Sequence, residues 1–295
     1  MKTTTKKVLS AVLASALLLS FSACSEKKAS EQESNTTTPA DNKTTEAAPA
    51  ENTEEKVIRV GASPAPHAQI LEACKDALAE KGYTLEIVEF TDYVLPNLSL
   101  DNGELEANFF QHTPYLEEFC ASRDVDLVAA VKVHFEPLGI YKGQSDDFEN
   151  IKDGATIAVP NDPTNEARAL QLLADSGLIT LTEGVGLNAT VKDIIDNPKN
   201  IEILEIEAAQ LPRTLPDVDF AIINGNYALD AGIIDSLLLT EDPQSDAAQT
   251  FANVLAVRKG DENTEATKAL VEVLTSDATR AYIEETFGST VVPVF

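Results

Sequence analysis

Apolar and polar positions along residues 57–295 follow two rhythms. Short apolar runs bounded by Gly, Pro, Asn or Asp read as buried strands. They fall at Val57–Val60, Leu85–Phe90, Leu105–Phe110, Ile157–Val159, Ile201–Ile206, Phe220–Ile223 and Phe251–Arg258. Between them, apolar residues recur at three- and four-residue spacing, the mark of a helix with one buried face. That spacing predicts helices over Ala68–Glu80, closed by Gly82, and near Val94–Asn102. Others are predicted over Pro114–Ser122, with Thr113 as its cap, and over Glu166–Ser176. A short helical piece is expected at Val191–Ile195 and one long final helix over Glu265–Thr286. Leu127–Tyr141 contains Pro137, so it reads as a strand that runs on into a crossing segment. A second crossing is expected near Asp235–Phe251. Strands alternating with helices over short connections imply parallel sheets covered on both faces. Two such sets joined by crossings imply two lobes with a cleft between them. Residues 57–138 with 239–295 would form one lobe and 139–238 the other.

The first 56 residues do not share these rhythms. Lys2, Lys6 and Lys7 precede an apolar stretch, Val8–Phe21, that is short for a membrane span of about 20 residues. Small residues follow, so 1–23 reads as a signal peptide. Cys24 directly after it resembles the lipobox cysteine of bacterial lipoproteins, which is acylated and becomes the new N-terminus. Residues 24–56 are mostly Ser, Thr, Glu, Asn, Ala and Pro. They bury too little surface to offset their ordering entropy, and a disordered, lipid-anchored tether is expected.

Asp and Glu number 49 against 22 Lys and Arg, a formal net charge of −27. That balance argues against a nucleic-acid partner and against electrostatic adhesion to anionic lipid. Cys74 and Cys120 fall in predicted helices without metal-ligand spacing. Two free thiols or one disulfide both fit.

The polar residues carry a positional signal. Nearly every strand is followed at once by aromatics, amides or a lone cation: Tyr93, then His112 and Tyr115 after Phe110, then Asn165 and Arg168, then Asn224 and Asn226. In open α/β sheets ligands bind just beyond the carboxyl ends of the strands. Asp162 can cap the helix after Val159, with Pro163 at its first position. Asn165 and Arg168 then share one face of that helix, near its free N–H groups. A guanidinium and helix N–H groups suit a carboxylate. Asn224 and Asn226 offer oxygens to an ammonium. Tyr93, Phe110, His112 and Tyr115 suit an apolar or thioether side chain. The set describes a small zwitterion with an apolar tail.

Five stretches also resemble a known family. They are Glu89–Asn97, Ala107–Leu116, Asn161–Arg168, Leu211-Pro212-Arg213 and Ile223–Ala228. In this order they resemble the NlpA-type methionine-binding lipoproteins of ABC importers, over roughly residues 57–295. The resemblance implies a two-lobed α/β fold of the periplasmic-binding-protein type (type II) that closes on methionine or a methionine derivative. It implies delivery to an importer permease and its ATPase, from the outer face of the cell membrane. By resemblance Arg168 and Asn165 meet the carboxylate, Asn224 the head group, and Tyr93, Phe110, His112 and Tyr115 the side chain.

Two rivals are weighed against it. A divalent-metal-binding surface lipoprotein would need His67, His112 and His134 to converge with carboxylates, and Arg168 would oppose the cation. An enzyme would need an activated nucleophile or an acid–base pair, and no such motif is present. No cofactor, metal or catalytic residue is expected. If Cys24 carries the anchor, Cys24→Ser should move the protein from the membrane pellet to the soluble fraction on cell fractionation. A variant pelleting as firmly as the parent would place the anchor elsewhere.

Overall fold

The computed structural model describes residues 56–295; the predicted leader, Cys24 and the tether up to residue 55 lie outside the described residues. In chain order the elements are β1 (Lys56–Ala62), α1 (Gln69–Glu80), β2 (Tyr83–Glu89), α2 (Leu95–Asp101), β3 (Ala107–His112), α3 (Thr113–Arg123), β4 (Leu127–Phe135) and β5 (Gly139–Lys142). They continue as β6 (Thr156–Pro160), α4 (Pro163–Asp175), β7 (Thr180–Leu181), β8 (Ile194–Asp196), β9 (Glu202–Ile206), α5 (Leu211–Thr214) and β10 (Phe220–Ile223). The last are α6 (Gly225–Asp230), β11 (Leu237–Thr240), α7 (Ala247–Thr250), β12 (Asn253–Arg258), α8 (Glu265–Leu274), α9 (Asp277–Phe287) and β13 (Val292–Pro293). No helix among the described residues is long and apolar enough to cross a membrane.

Each lobe is built on one sheet. The first has strand order β13-β4-β12-β3-β1-β2, and the second β11-β5-β10-β6-β9. Strands β3, β1 and β2 run parallel, as do β10, β6 and β9. The remaining pairs are antiparallel: β12 with β3 and β4, β13 with β4, and β5 with β10 and β11. The sheets are therefore mixed, where alternation of strand and helix had predicted parallel ones. Strands β4, β5, β11 and β12 flank the crossings, and none of these antiparallel pairs needs a returning helix.

Local chemistry explains the other departures. Leu237–Thr240 was expected inside a crossing but forms an edge strand on β5, with Leu237 and Leu238 packed on the second lobe's core. The single final helix is two helices. Ser276 caps the second by accepting from the Thr279 N–H at 3.2 Å. The predicted cap Thr113 is not the cap of α3. His112 takes that role, its Nδ1 accepting from the Tyr115 N–H at 3.1 Å. Cys74 is buried and Cys120 half-buried, and both are free thiols.

The first lobe's core sets Ile58, Val60 and Ala62 of β1 against Ile70, Leu71 and Leu78 of α1 and Leu270, Val273 and Leu274 of α8. The second sets Ile157, Val159, Phe220 and Ile222 against Leu170 and Leu173 of α4. Each such side chain contributes roughly 1.5–3 kcal/mol on burial, more than a typical surface ion pair. Strand β3 lies between β12 and β1 and is buried along its whole length. Its polar members are satisfied internally. Asn97 Oδ1 accepts from Asn108 Nδ2 (2.8 Å) and Gln111 Nε2 (2.7 Å), and Asn97 Nδ2 donates to Gln111 Oε1 (2.8 Å). This network ties α2 to β3 and fixes the strand end that carries Phe110 and His112.

Candidate functional site

Two chain segments link the lobes, and they are bonded to one another. The first is Glu136-Pro137-Leu138, between β4 and β5. The second starts at Glu241, just after β11. The Glu241 N–H donates to Leu138 O (3.1 Å), and the Leu138 N–H donates to Glu241 Oε2 (2.8 Å). Arg168 of α4 bonds to both segments. Its Nε and Nη2 donate to Glu241 Oε1 (2.8 Å) and Oε2 (2.5 Å), and Nη2 also donates to Glu136 O (2.9 Å). The guanidinium stacks over Phe251, 4.3 Å from the ring centre. Both partners of the Arg168–Glu241 pair are buried, with side chains 4% and 11% exposed.

A small cavity lies beside this joint. All eight residues singled out from the sequence line it: Tyr93, Phe110, His112, Tyr115, Asn165, Arg168, Asn224 and Asn226. Gln111, Glu136, Gly225 and Asn253 complete the wall. The first lobe supplies an aromatic cluster. The Tyr93 ring lies 5.9 Å from Phe110 and 5.5 Å from Tyr115, and 5.0 Å from Tyr227 of the other lobe.

The lobes meet through polar contacts at the same place. Tyr93 donates its hydroxyl hydrogen to Asn226 Oδ1 (2.6 Å). Because His112 Nδ1 accepts from Tyr115, its proton sits on Nε2 and is donated to Asn165 Oδ1 (3.0 Å). Asn224 Nδ2 donates to the same oxygen (2.8 Å). Burial, and next the Arg168 charge, push His112 down to about 3, so it is neutral at physiological pH. Asn165 is thus the meeting point of β3, α4 and the loop after β10.

Two expectations change in detail. Arg168 was read as free to hold a carboxylate, but one edge of its guanidinium already holds Glu241. Its Nη1 has no partner among the described residues. The N–H groups of the first helical turn after Pro163 were read as available, but Asp162 accepts from the Asn165 N–H (3.0 Å) as its cap. Sequence reasoning also missed Glu136 and Glu241, single acids in non-periodic segments with no motif to mark them.

His67 and His134 do converge, as the metal rival required, but His112 does not join them. Their ring nitrogens and the Glu136 carboxylate lie within 4.8 Å of one another, all buried. His134 Nε2 is 2.8 Å from Glu136 Oε1, and His67 Nε2 is 3.3 Å from the same oxygen and 3.0 Å from Asn253 Oδ1. A metal-bound imidazole donates its other N–H to a partner. Neither Nδ1 here has one. The trio fits a hydrogen-bonded cluster better than a cation site. Burial lowers His67 to about 4 and His134 to about 3.

Two lobes on mixed sheets, two bonded crossings and a polar–aromatic cavity between them define a substrate-binding protein of the periplasmic-binding-protein type. A family model described as NlpA lipoprotein matches residues 58–295, and the chain belongs to that family. Methionine-binding lipoprotein MetQ of Bacillus subtilis is 38% identical over 250 residues, 81% of this chain and 88% of its own length. A nutrient-binding protein from Burkholderia cenocepacia, solved bound to methionine, is 39% identical with a TM-score of 0.76, covering 81% of this chain and all (100%) of that one. An ABC transporter periplasmic substrate-binding protein from Coxiella burnetii is 42% identical with a TM-score of 0.75, covering 80% and 100%.

The buried Arg168–Glu241 pair gives a direct test. Glu241→Ala leaves Arg168 without its counter-ion and Leu138 N–H without its acceptor. Denaturant unfolding should show a loss of roughly 3–5 kcal/mol. An unchanged midpoint would mean that the pair does not hold the joint.

Proposed function

We propose that this protein captures methionine outside the cytoplasmic membrane and delivers it to the permease and ATPase of an ABC importer. A lipid on Cys24 holds it at the membrane surface. The observation that carries the reading is the cavity itself. Its wall pairs a cation and amides on the second lobe with an aromatic cluster on the first, the complement of an amino acid with an apolar tail. The methionine-bound relative and the importer protein among its neighbours support it. In this reading Arg168 and Asn165 take the carboxylate, Asn224 and Asn226 lie at the head group, and Tyr93, Phe110, His112 and Tyr115 surround the thioether. The role is binding, with closure of the lobes as the working step. A ligand touching both lobes favours the closed form by its differential affinity for it.

Side-chain selectivity tests this reading. Sulfur beside aromatic rings gains only about 0.3–1.5 kcal/mol over plain packing. Norleucine should bind about 2- to 10-fold more weakly than methionine. Glutamine would bury an amide that the aromatic wall cannot satisfy, at a cost of roughly 1–3 kcal/mol or more. Competition against labelled methionine should give the order methionine, norleucine, glutamine. Glutamine displacing the label better than norleucine would sink the thioether pocket.

A further inference from the structure

A second cavity, of about 460 Å³, lies against the second link. That volume falls within the roughly 300–1,000 Å³ of ligand sites. Arg168 alone among the described residues lines both cavities. The walls of the second come from three places. Leu172 and Asp175 belong to α4, and Leu187 to the short turn Gly186–Asn188 packed on that helix. Leu239 belongs to β11 and Asp242 to the link that follows it. Ala247 and Phe251 pack with Phe135 of β4 and so move with the first lobe. Leu187 and Leu239 are large apolar side chains left 41% and 37% exposed. Exposed apolar surface that continues into a concavity marks a binding groove. The charge there has one sign. Arg168 and Glu241 pair with each other. The Asp175 carboxylate accepts from the Gln171 amide (2.9 Å) and that of Asp242 from the Gln244 N–H (2.9 Å), and neither has a cation among the described residues.

We infer that this hinge-side cavity is a second binding site, that it takes a small organic ammonium with an apolar body, and that its ligand tightens binding in the cavity between the lobes. The lining sets the ligand class. Leu172, Leu187, Leu239 and Phe251 offer an apolar body a wall away from water, and the exposed carboxylates of Asp175 and Asp242 suit a positive head group. An anion would meet two carboxylates, and the guanidinium there is already paired with Glu241. The coupling follows from the walls. A change in the angle between lobes moves Ala247 and Phe251 relative to α4, so the cavity keeps this shape only at the angle seen here. At that angle the lobes touch across the first cavity, Tyr93 to Asn226 and His112 to Asn165. A ligand that fits the second cavity therefore favours the closed form. The two cavities are also in physical contact. The Arg168 guanidinium lies 4.3 Å from the centre of the Phe251 ring, and that ring lies 5.2 Å from the ring of His112, which lines the first cavity. Such coupling is reciprocal, each ligand changing the other's affinity by the same factor. The site stands apart from the methionine-capture reading, and the coupling rests on it.

Calorimetry with hexylammonium, hexanol and hexanoate, alike in shape and different in charge, tests this. Each is titrated into protein saturated with methionine, so that the first cavity is filled. Hexylammonium should bind with a Kd of about 1 mM or tighter. It should bind about threefold more tightly than hexanol and about tenfold more tightly than hexanoate, the scale set by exposed charges. Leu187→Arg sets a guanidinium over the leucine wall. It should weaken hexylammonium about tenfold or more. Methionine measured alone should stay within about twofold in this variant, since the position is exposed and outside the first cavity. In the unaltered protein, saturating hexylammonium should tighten methionine about fivefold or more. No hexylammonium binding to methionine-saturated protein, or binding undiminished in Leu187→Arg, would overturn the site. Hexanoate binding as tightly as hexylammonium would overturn the ligand class, and methionine affinity unchanged or weakened by hexylammonium would overturn the coupling. If Leu187→Arg does not fold, Asp242→Asn takes its place. The preference for hexylammonium over hexanol should then fall toward parity, and an undiminished preference would overturn the site. If the unaltered protein binds no methionine at all, the capture reading and the coupling fail together, and hexylammonium titrated into ligand-free protein and Leu187→Arg still decides the site.

Discussion

Arg168 stands where the two links between the lobes pass each other, and the site is organised around the way its charge is held. The guanidinium grips the carboxylate of Glu241 on one link and the carbonyl of Glu136 on the other. A buried pair of this kind gains little net stability over an apolar one but costs several kcal/mol to break. It therefore specifies geometry more than it adds free energy. Any change in the angle between lobes must move the links, and the links carry Glu136, a wall residue packed against Gly225. Opening and the chemistry of the cavity are coupled through the same few bonds.

The lobes meet over side chains held neutral by burial. His112, His67 and His134 are all pushed far below the ordinary histidine value, chiefly by loss of water. A neutral His112 can accept from Tyr115 with one nitrogen and donate to Asn165 with the other, which it could not do if charged. The cavity thus offers charge at few points, Arg168 with Glu241, and Glu136, while amides and rings supply the rest. That pattern fits a zwitterion whose own two charges complete the set, with an apolar tail lying against Tyr93, Phe110 and Tyr115.

Much of this was legible in the sequence because the eight residues sit at or just past strand ends, and parallel strands bring their carboxyl ends to one side. Phe110 and His112 close β3, Asn165 and Arg168 follow β6, and Asn224 follows β10. Glu136 and Glu241 were not legible. They lie in extended links without periodicity, and a single acid carries no signal in a chain with 49 of them. The antiparallel strands were missed for a related reason, since an apolar run such as Leu237–Leu239 fixes burial but not direction. The break between α8 and α9 rests on one serine, Ser276, whose side chain reads as an ordinary surface residue until its bond to Thr279 is seen.

The central claim is that a free amino acid with a thioether tail is the natural occupant of this cavity. Protein purified from its own cells without added ligand, then unfolded to release what it holds, allows that to be read by mass spectrometry. The account predicts methionine at a stoichiometry approaching one per chain. Recovery of a different solute, or of a methionine dipeptide in its place, would contradict it.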